Sequence, residues 1–133
     1  MATSMEIIGD ELKTRLATIT DIARVFAPNG LPLAVSEFPV ALILPAPTEY
    51  HQDFDDSIQC SFRVIILLTN QDNPTALTRL LDYIATSGAD SVMSAVEAST
   101  TNEFKVVSNN GAGVTTWGGQ QYLSTEFLVI CYN

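Results

Sequence analysis

The run from Ser57 to Thr69 is the feature that most constrains the fold, because its side chains alternate as they do along a β-strand. One face is apolar throughout. The opposite face is polar up to Arg63, but Ile65 and Leu67 are apolar. The pattern predicts a long strand that is covered along the whole of one face and along only half of the other.

Other segments predict the elements around this strand. Apolar residues recur at helical spacing after Thr3 and Glu6, which match a capping box, and Asn73-Pro74 is a typical helix start. The predicted helices are Ser4–Ile19, a helix from Asn73 to a C-cap at Gly88, and Ser91–Ala98. The other predicted strands are Phe38–Leu44, Glu103–Ser108 and Gln120–Tyr132, with a short extended piece at Val25-Phe26.

This order predicts an α+β fold: a single domain, residues 1–133, with a mainly antiparallel four-stranded sheet and helices packed on one face. A long protruding β-hairpin loop joins two of the strands. The strands Ser57–Thr69 and Gln120–Tyr132 become apolar on both faces toward one end. A monomer with helices on one face would leave that second patch exposed, and such patches mark interfaces.

The hairpin loop lies between Leu44 and Cys60, and it is longer than the 2–5 residues that a simple reversal needs. Aromatic side chains among carboxylates on a loop favour a contact surface. We therefore expect a subunit or partner interface at Glu49, Tyr50, His51, Asp53, Phe54, Asp55 and Asp56. Trp117, in the Gly-rich connection Asn109–Gly119, is a further candidate, and a cap on the core is an equal alternative for it.

The chain has 133 residues and a net charge of -9, from 15 acidic and 6 basic residues. This balance argues against wrapping a nucleic acid, since that affinity comes mostly from Lys and Arg, but it permits DNA to pass nearby. Charged residues make up 16% of the chain, below the ~25% that is usual. Such a chain has either an unusually large core or a surface covered by other subunits.

Cys60 and Cys131 both lie in apolar runs, so we expect free buried thiols; a disulfide is the alternative. Met1–Asp10 lacks the features of a signal peptide, and Val64–Leu68 is too short to cross a bilayer. We expect a protein made in a reducing cytosol.

Three sequence patterns bear on chemistry, and none predicts a catalytic residue, a metal or a cofactor. His51, Asp53 and Asp55 would share one side of an extended chain, as ligands of a divalent ion do, but they lack the glycine and final glutamate of an EF-hand loop. Glu103-Phe104-Lys105 resembles the tripeptide of some metal-dependent nucleases, without an obvious upstream aspartate. The glycines of Asn109–Gly119 lead from strand to strand, which favours a long hairpin loop over a dinucleotide site.

The order of these features resembles the small tail terminator proteins of long-tailed (siphovirus-like) bacteriophages, also described as minor tail or tail completion proteins. The resemblance rests on the first helix, on Phe38–Pro47, on Glu49-Tyr50-His51 with its acidic stretch, and on the long strand Ser57–Thr69. It continues through Leu80-Leu81-Asp82-Tyr83-Ile84 to Ser87-Gly88, and then through the Gly-rich hairpin to Tyr122–Tyr132.

The resemblance implies a structural virion protein without enzymatic activity. Usually six copies form a ring that caps the head-proximal end of the tail tube, ends its polymerisation and offers a docking face to head-completion proteins. Its partners would be further copies, the tail tube protein and a head-completion or stopper protein, with DNA as a non-specific passenger. Another neck component, such as a head–tail stopper or joining protein, remains an alternative. A second alternative is a small metal-dependent enzyme that uses the segment His51–Asp56. A third is a host protein that binds peptides along an exposed sheet edge.

Overall fold

The computed structural model of the protein describes residues 4–32, 38–46, 49–50, 58–69, 74–98 and 103–132. Within these residues the chain forms three α-helices, one 3₁₀ turn and seven strands. In chain order they are α1 (Ser4–Leu16), β1 (Arg24–Phe26), the 3₁₀ turn Pro28–Gly30, β2 (Val40–Pro45), β3 (Glu49–Tyr50), β4 (Ile58–Thr69), α2 (Pro74–Ile84), α3 (Val92–Glu97), β5 (Glu103–Asn109), β6 (Gly113–Trp117) and β7 (Gln120–Tyr132).

The two longest strands, β4 and β7, are antiparallel neighbours at the centre of one sheet. Strands β2 and β3 follow each other along the free side of β4, and β5 and β6 follow each other along the free side of β7. Strand β1 runs parallel to β2 at the outer edge. The α+β class and the mainly antiparallel sheet are therefore confirmed. The predicted strands correspond to β2, β4, β5 and β7, and the predicted number is too low because three shorter strands join them.

All three helices cover one face of the sheet, which will be called the first face. Their apolar side chains pack with those of β2, β4, β5 and β7 in one buried cluster. The helical members of that cluster include Leu12 and Leu16 of α1, Tyr83 of α2, and Val92 and Val96 of α3. The helical spacing in the sequence identifies the buried side chains of α1 and α3. In α2 it places Leu81 inward, but Leu81 is 65% exposed and Tyr83 is buried instead.

The second face is half covered by the chain itself, which corrects an expectation. The alternation in β4 predicts that a helix or a neighbouring subunit covers Ile65 and Leu67. Within the single chain these residues are already only 4% and 0% exposed. They belong to a second buried cluster with Val40, Leu42 and Tyr122, against which Phe26, Leu31, Phe38, Leu44 and Trp117 pack. The cover comes from the chain itself, from Leu31 and Phe38 in irregular segments and from Phe26 in β1 and Trp117 in β6, so these two strand residues give no argument for an interface.

The helix ends differ from the predicted ones for local reasons. Helix α1 ends at Leu16 and not at Ile19, because the N–H groups of Thr18 and Ile19 donate to carbonyls only three residues back, as in a tighter 3₁₀ turn. Helix α2 ends at Ile84, and Gly88 does not cap it; Gly88 has φ of 111° and lies in a separate turn that leads to α3. Ser91 caps α3, since its hydroxyl oxygen accepts the N–H of Ser94 at 3.1 Å.

The Gly-rich connection is not a long loop. It contains strand β6, which pairs with the start of β7 through a tight turn at Gly118-Gly119. Both glycines have positive φ, 59° and 80°, the backbone that a two-residue hairpin turn needs. Before β6, Asn109 Oδ1 accepts the N–H of Gly111 at 2.7 Å, which fixes the bend out of β5.

Helix α2 is joined to the segment after α1 by a three-residue cluster. Tyr83 Oη donates to Asp21 Oδ2 at 2.5 Å, and Arg79 Nη2 donates to the same oxygen at 2.8 Å. These two donors, the tyrosine first and the arginine second, lower the pKa of Asp21. Burial, followed by the hydrogen bond to Asp21, raises the pKa of Tyr83.

Candidate functional site

The uncovered part of the second face is the surface that the structure leaves accessible on the sheet. Residues directly opposite each other on paired strands share a face. Leu44, Arg63 and Leu128 form one such row across β2, β4 and β7, and Ile130 and Lys105 belong to the next row, on β7 and β5. The name open half will be used for the following residues of this face: Leu44, Arg63, Lys105, Glu126, Leu128 and Ile130.

The open half combines an ion pair with apolar side chains. Arg63 donates two hydrogen bonds to Glu126 Oε1, from Nε at 3.1 Å and from Nη2 at 2.6 Å. The two side chains are 48% and 31% exposed, so water screens the pair and its net contribution to stability is below ~1 kcal/mol. Leu44, Leu128 and Ile130 are partly exposed beside it. An incoming chain would meet apolar area and a guanidinium that can change partner at little cost.

Lys105 adds a second positive charge at the edge of the open half. It lies on β5 opposite Ile130 and is exposed. No ion pair within the described residues includes it. The open half thus holds two cations and the carboxylate of Glu126, and the register places Glu49 and Glu103 in the adjacent row, with Gln59 and Tyr132.

The acidic connection leaves the sheet beside this surface. Glu49 and Tyr50 of β3 pair with Gln59 and Ile58 at the start of β4, and Gln59 is also opposite Tyr132 at the end of β7. Residues 51–57 therefore connect two paired strands at the end of the sheet that carries the open half.

The predicted site residues fall into two groups. Glu49 and Tyr50 are placed by their backbone in β3. His51, Asp53, Phe54, Asp55 and Asp56 lie outside the described residues, as does the proposed divalent-ion cluster among them.

Trp117 caps the covered half of the second face. Its ring packs against the cluster of Val40, Leu42 and Leu67, and its Nε1 donates to the carbonyl oxygen of Pro32 at 3.0 Å. The side chain is half-buried. Of the two roles considered for Trp117, these contacts agree with the cap on the core.

The described residues offer little for catalysis. Among the described residues, no group of three or more His, Cys, Asp or Glu side chains is close enough together to hold a metal ion. In the nuclease-like tripeptide Phe104 is buried under the helices, and Lys105 lies on the opposite face. Cys60 and Cys131 are directly opposite on β4 and β7, both buried and not joined by a disulfide, and burial raises the pKa of the Cys60 thiol. No helix in the described residues is long and apolar enough to span a membrane.

One edge of the sheet is blocked against strand addition. Glu97, at the end of α3, accepts the N–H of Val106 with Oε2 at 3.0 Å, a donor that an added strand would otherwise use. The pairing of β5 with β7 also shifts register between Val106 and Ser108. These features make a sheet face a better candidate for contacts than the β5 edge.

Sequence reasoning missed the open half as a site. The polar position of Arg63 on the second face was visible in the alternation, but its neighbours Glu126 and Lys105 come from strands more than 40 residues away in sequence. Only the strand register brings the three together. No protein-family model matches the chain, and no curated protein matches its sequence.

Proposed function

We propose that the protein is a structural virion subunit that forms a ring, usually of six copies, at the head-proximal end of the tail tube of a long-tailed phage. The ring ends polymerisation of the tube and presents a docking face to head-completion proteins. The observation that carries the proposal is the open half, a partly exposed surface of apolar and charged side chains beside the start of the acidic connection.

The surface chemistry supports assembly in a ring. Ring closure requires each subunit to use two different patches, one for each neighbour. The chain has two candidates: the connection of residues 51–57, which carries three aspartates, and the open half, which carries Arg63, Lys105 and Glu126. In this proposal the connection is a protruding hairpin loop, and Tyr50 and Phe54 are its aromatic anchors.

The mechanism is steric and needs no chemical step. A closed ring covers the surface on which the next layer of tube protein would add, and its other face receives the connector. A net charge of -9 per copy keeps a central passage repulsive to DNA, so DNA moves through without binding.

Native mass and imaging test the proposal. Light scattering of the purified protein, alone and with purified tail tubes, should give a species of about six times the 14.4 kDa of one chain, and negative-stain images should show it at one tube end. Particles that lack the protein should carry overlong tails. Filled heads that leak and tails that never attach would indicate a stopper or joining protein instead, and a chain that stays monomeric with and without tubes would refute the ring.

A further inference from the structure

The hairpin formed by β6 and the start of β7 lies in a part of the chain that carries no charge. Residues 106–125 contain no Asp, Glu, Lys or Arg, and no other run of this length in the chain lacks them. Each copy carries a net charge of -9, so two copies repel each other where their charged surfaces approach. The hairpin is therefore a region that a second copy can approach with little electrostatic opposition.

Strand β6 has one free edge, and the strand register shows which backbone groups lie along it. The tight two-glycine turn makes its flanking residues, Trp117 and Gln120, a hydrogen-bonded pair. Bonds to β7 therefore come from Trp117 and Thr115, and the N–H and C=O groups of Val114 and Thr116 point away from β7. No strand in the described part of the chain pairs with that side of β6.

The other edges of the described sheet have features that oppose strand addition. Charges, short length and bulges keep edge strands from pairing with other chains. Strand β5 has a register shift, and Glu97 occupies the N–H of Val106; β1 has three residues and carries Arg24, and β3 has two and carries Glu49. Strand β6 has five residues, none of them charged or proline, and pairs with β7 without a register shift. Its edge is thus the one most open to an added strand.

We propose that the free edge of β6 pairs with β6 of a second copy of this chain, antiparallel about a two-fold axis. With Thr115 opposite Thr115 of the second copy, Val114 lies opposite Thr116 on both sides of the axis, and each such pair exchanges both of its N–H···O bonds. With Val114 or Thr116 on the axis instead, the other of these two residues lies beyond the end of the second strand. One register therefore satisfies all the outward groups of both strands.

The side chains fit this register on both faces. Trp117 lies opposite Gly113 of the second copy, and a Cβ at Gly113 would meet nothing within 4 Å, so the space beside the indole is open. On the other face Val114 lies opposite Thr116, and pairs of β-branched side chains stabilise adjacent strands. Val114 is 69% exposed, the largest exposure of any large apolar side chain among the described residues, and the pairing covers it.

This contact is isologous, since both copies use the same surface, so it is separate from the head-to-tail contacts of the proposed ring. Light scattering over roughly 1 µM to 1 mM should show the mass rise from the 14.4 kDa of one chain toward twice that value. Hydrogen exchange, read residue by residue, gives the second measurement. The amides of Thr115 and Trp117 should be protected at every concentration, whereas those of Val114 and Thr116 should slow by at least ~10-fold as the dimer forms.

Substitution of Thr116 tests the edge directly. Thr116→Pro removes an outward N–H and no bond to β7, and proline is tolerated at such a position of an edge strand. Thr116→Ala is the matched control, because it keeps the N–H. The proline variant should raise the dissociation constant of the dimer by at least ~10-fold, and the alanine variant by less than ~3-fold. Urea unfolding checks that both are folded; if the proline variant is not, the amide exchange of the parent decides.

Each of the other outcomes overturns the contact. A parent that remains a single chain up to about 1 mM has no such dimer, and a dimer whose Val114 and Thr116 amides still exchange fast pairs elsewhere. Equal association of the proline and alanine variants would exclude the backbone bonds. Protection of these amides that appears only when tail tubes are added would show that another protein, and not a second copy, occupies the edge. The proposed ring is judged separately, by the six-copy species at the tube end.

Discussion

The cluster of Tyr83, Asp21 and Arg79 gives the sharpest test of how α2 is held to the rest of the domain, through the change Tyr83→Phe. The Tyr83 side chain is 0% exposed, and its hydroxyl donates to Asp21 Oδ2 at 2.5 Å. The change keeps the ring and removes only the donor. Asp21 retains Arg79 and is 38% exposed, so water can replace the lost hydroxyl.

The expected cost follows from these contacts. A hydrogen bond to a charged group contributes ~1.5–3 kcal/mol, and the exposure of Asp21 favours the lower end. We expect Tyr83→Phe to lower the free energy of unfolding by about 1.5 kcal/mol. At roughly 4 °C per kcal/mol for a domain of this size, the melting temperature should fall by about 6 °C.

The pH dependence identifies the cause. The pKa of Asp21 is lowered below its usual 3.8 in the folded state, first by Tyr83 and then by Arg79. A lowered carboxyl pKa stabilises the fold above the unfolded value and loses that effect as the pH falls through the folded value. The difference between the parent and Tyr83→Phe should therefore be largest near pH 7 and shrink below about pH 4. Because the pKa of Tyr83 is raised from its usual 10.0, the parent should also lose stability as the pH rises above that value, unlike the variant.

Urea unfolding followed by circular dichroism at several pH values measures these differences. The matched control is Tyr122→Phe, a buried tyrosine whose hydroxyl makes no hydrogen bond within the described residues, and it should cost less than about 0.5 kcal/mol. An equal loss for both variants, or a Tyr83→Phe difference that is constant from about pH 7 to about pH 3, would refute the proposed role of the Asp21 carboxylate.

Substitutions at Gly9 and at Trp117 test two further contacts. A Cβ on Gly9 would lie 3.0 Å from Pro28 Cδ, so Gly9→Ala should destabilise the chain despite a gain of ~1 kcal/mol in helix propensity. In a Pro28→Ala background, where the ring is absent, the same change should stabilise it. Urea unfolding measures both, and a single Gly9→Ala variant that is more stable than the parent would contradict the contact. Trp117→Phe should lower the free energy of unfolding by about 1 kcal/mol because it removes the hydrogen bond to Pro32, and Trp117→Ala should lower it clearly more because it also removes the ring. Urea unfolding is followed by circular dichroism, since Trp117 is the only tryptophan and its fluorescence is lost in both variants. Equal losses would show that the ring does not cap the cluster.

The regular elements were predictable because their patterns repeat over many residues. Strand β7 has the predicted bounds, and β4 differs by one residue, since period-two alternation over a dozen positions leaves little freedom of register. Helix α3 was predicted as Ser91–Ala98 and spans Val92–Glu97, because Ser91 and Ala98 are its two caps. Short strands such as β6 were missed because glycines on both sides of Val114–Trp117 are typical of a loop.

The cover on the second face was not predictable in the same way. Phe26 ends the three-residue strand β1, whereas Leu31 and Phe38 lie in irregular segments, and no period connects these residues to Leu67. Their burial depends on where the turns place them, which sequence alternation does not encode. The two-faced apolar ends of the strands therefore indicated cover correctly, but the cover comes from the chain itself.

The distribution of charge limits which surfaces of two copies can approach each other. Most basic side chains already have partners within the chain, among them Arg15 with the Ala95 carbonyl, Arg79 with Asp21, and Arg63 with Glu126. With a net charge of -9, two copies repel each other in most orientations. Lys105, which is in no ion pair within the described residues, and the exposed Arg63 are the cations most accessible to an acidic partner. Salt screens the repulsion between copies and the attraction of an acidic partner to these cations, over a Debye length of about 10 Å at ~0.1 M. Any preference for one orientation should therefore weaken as the salt concentration rises.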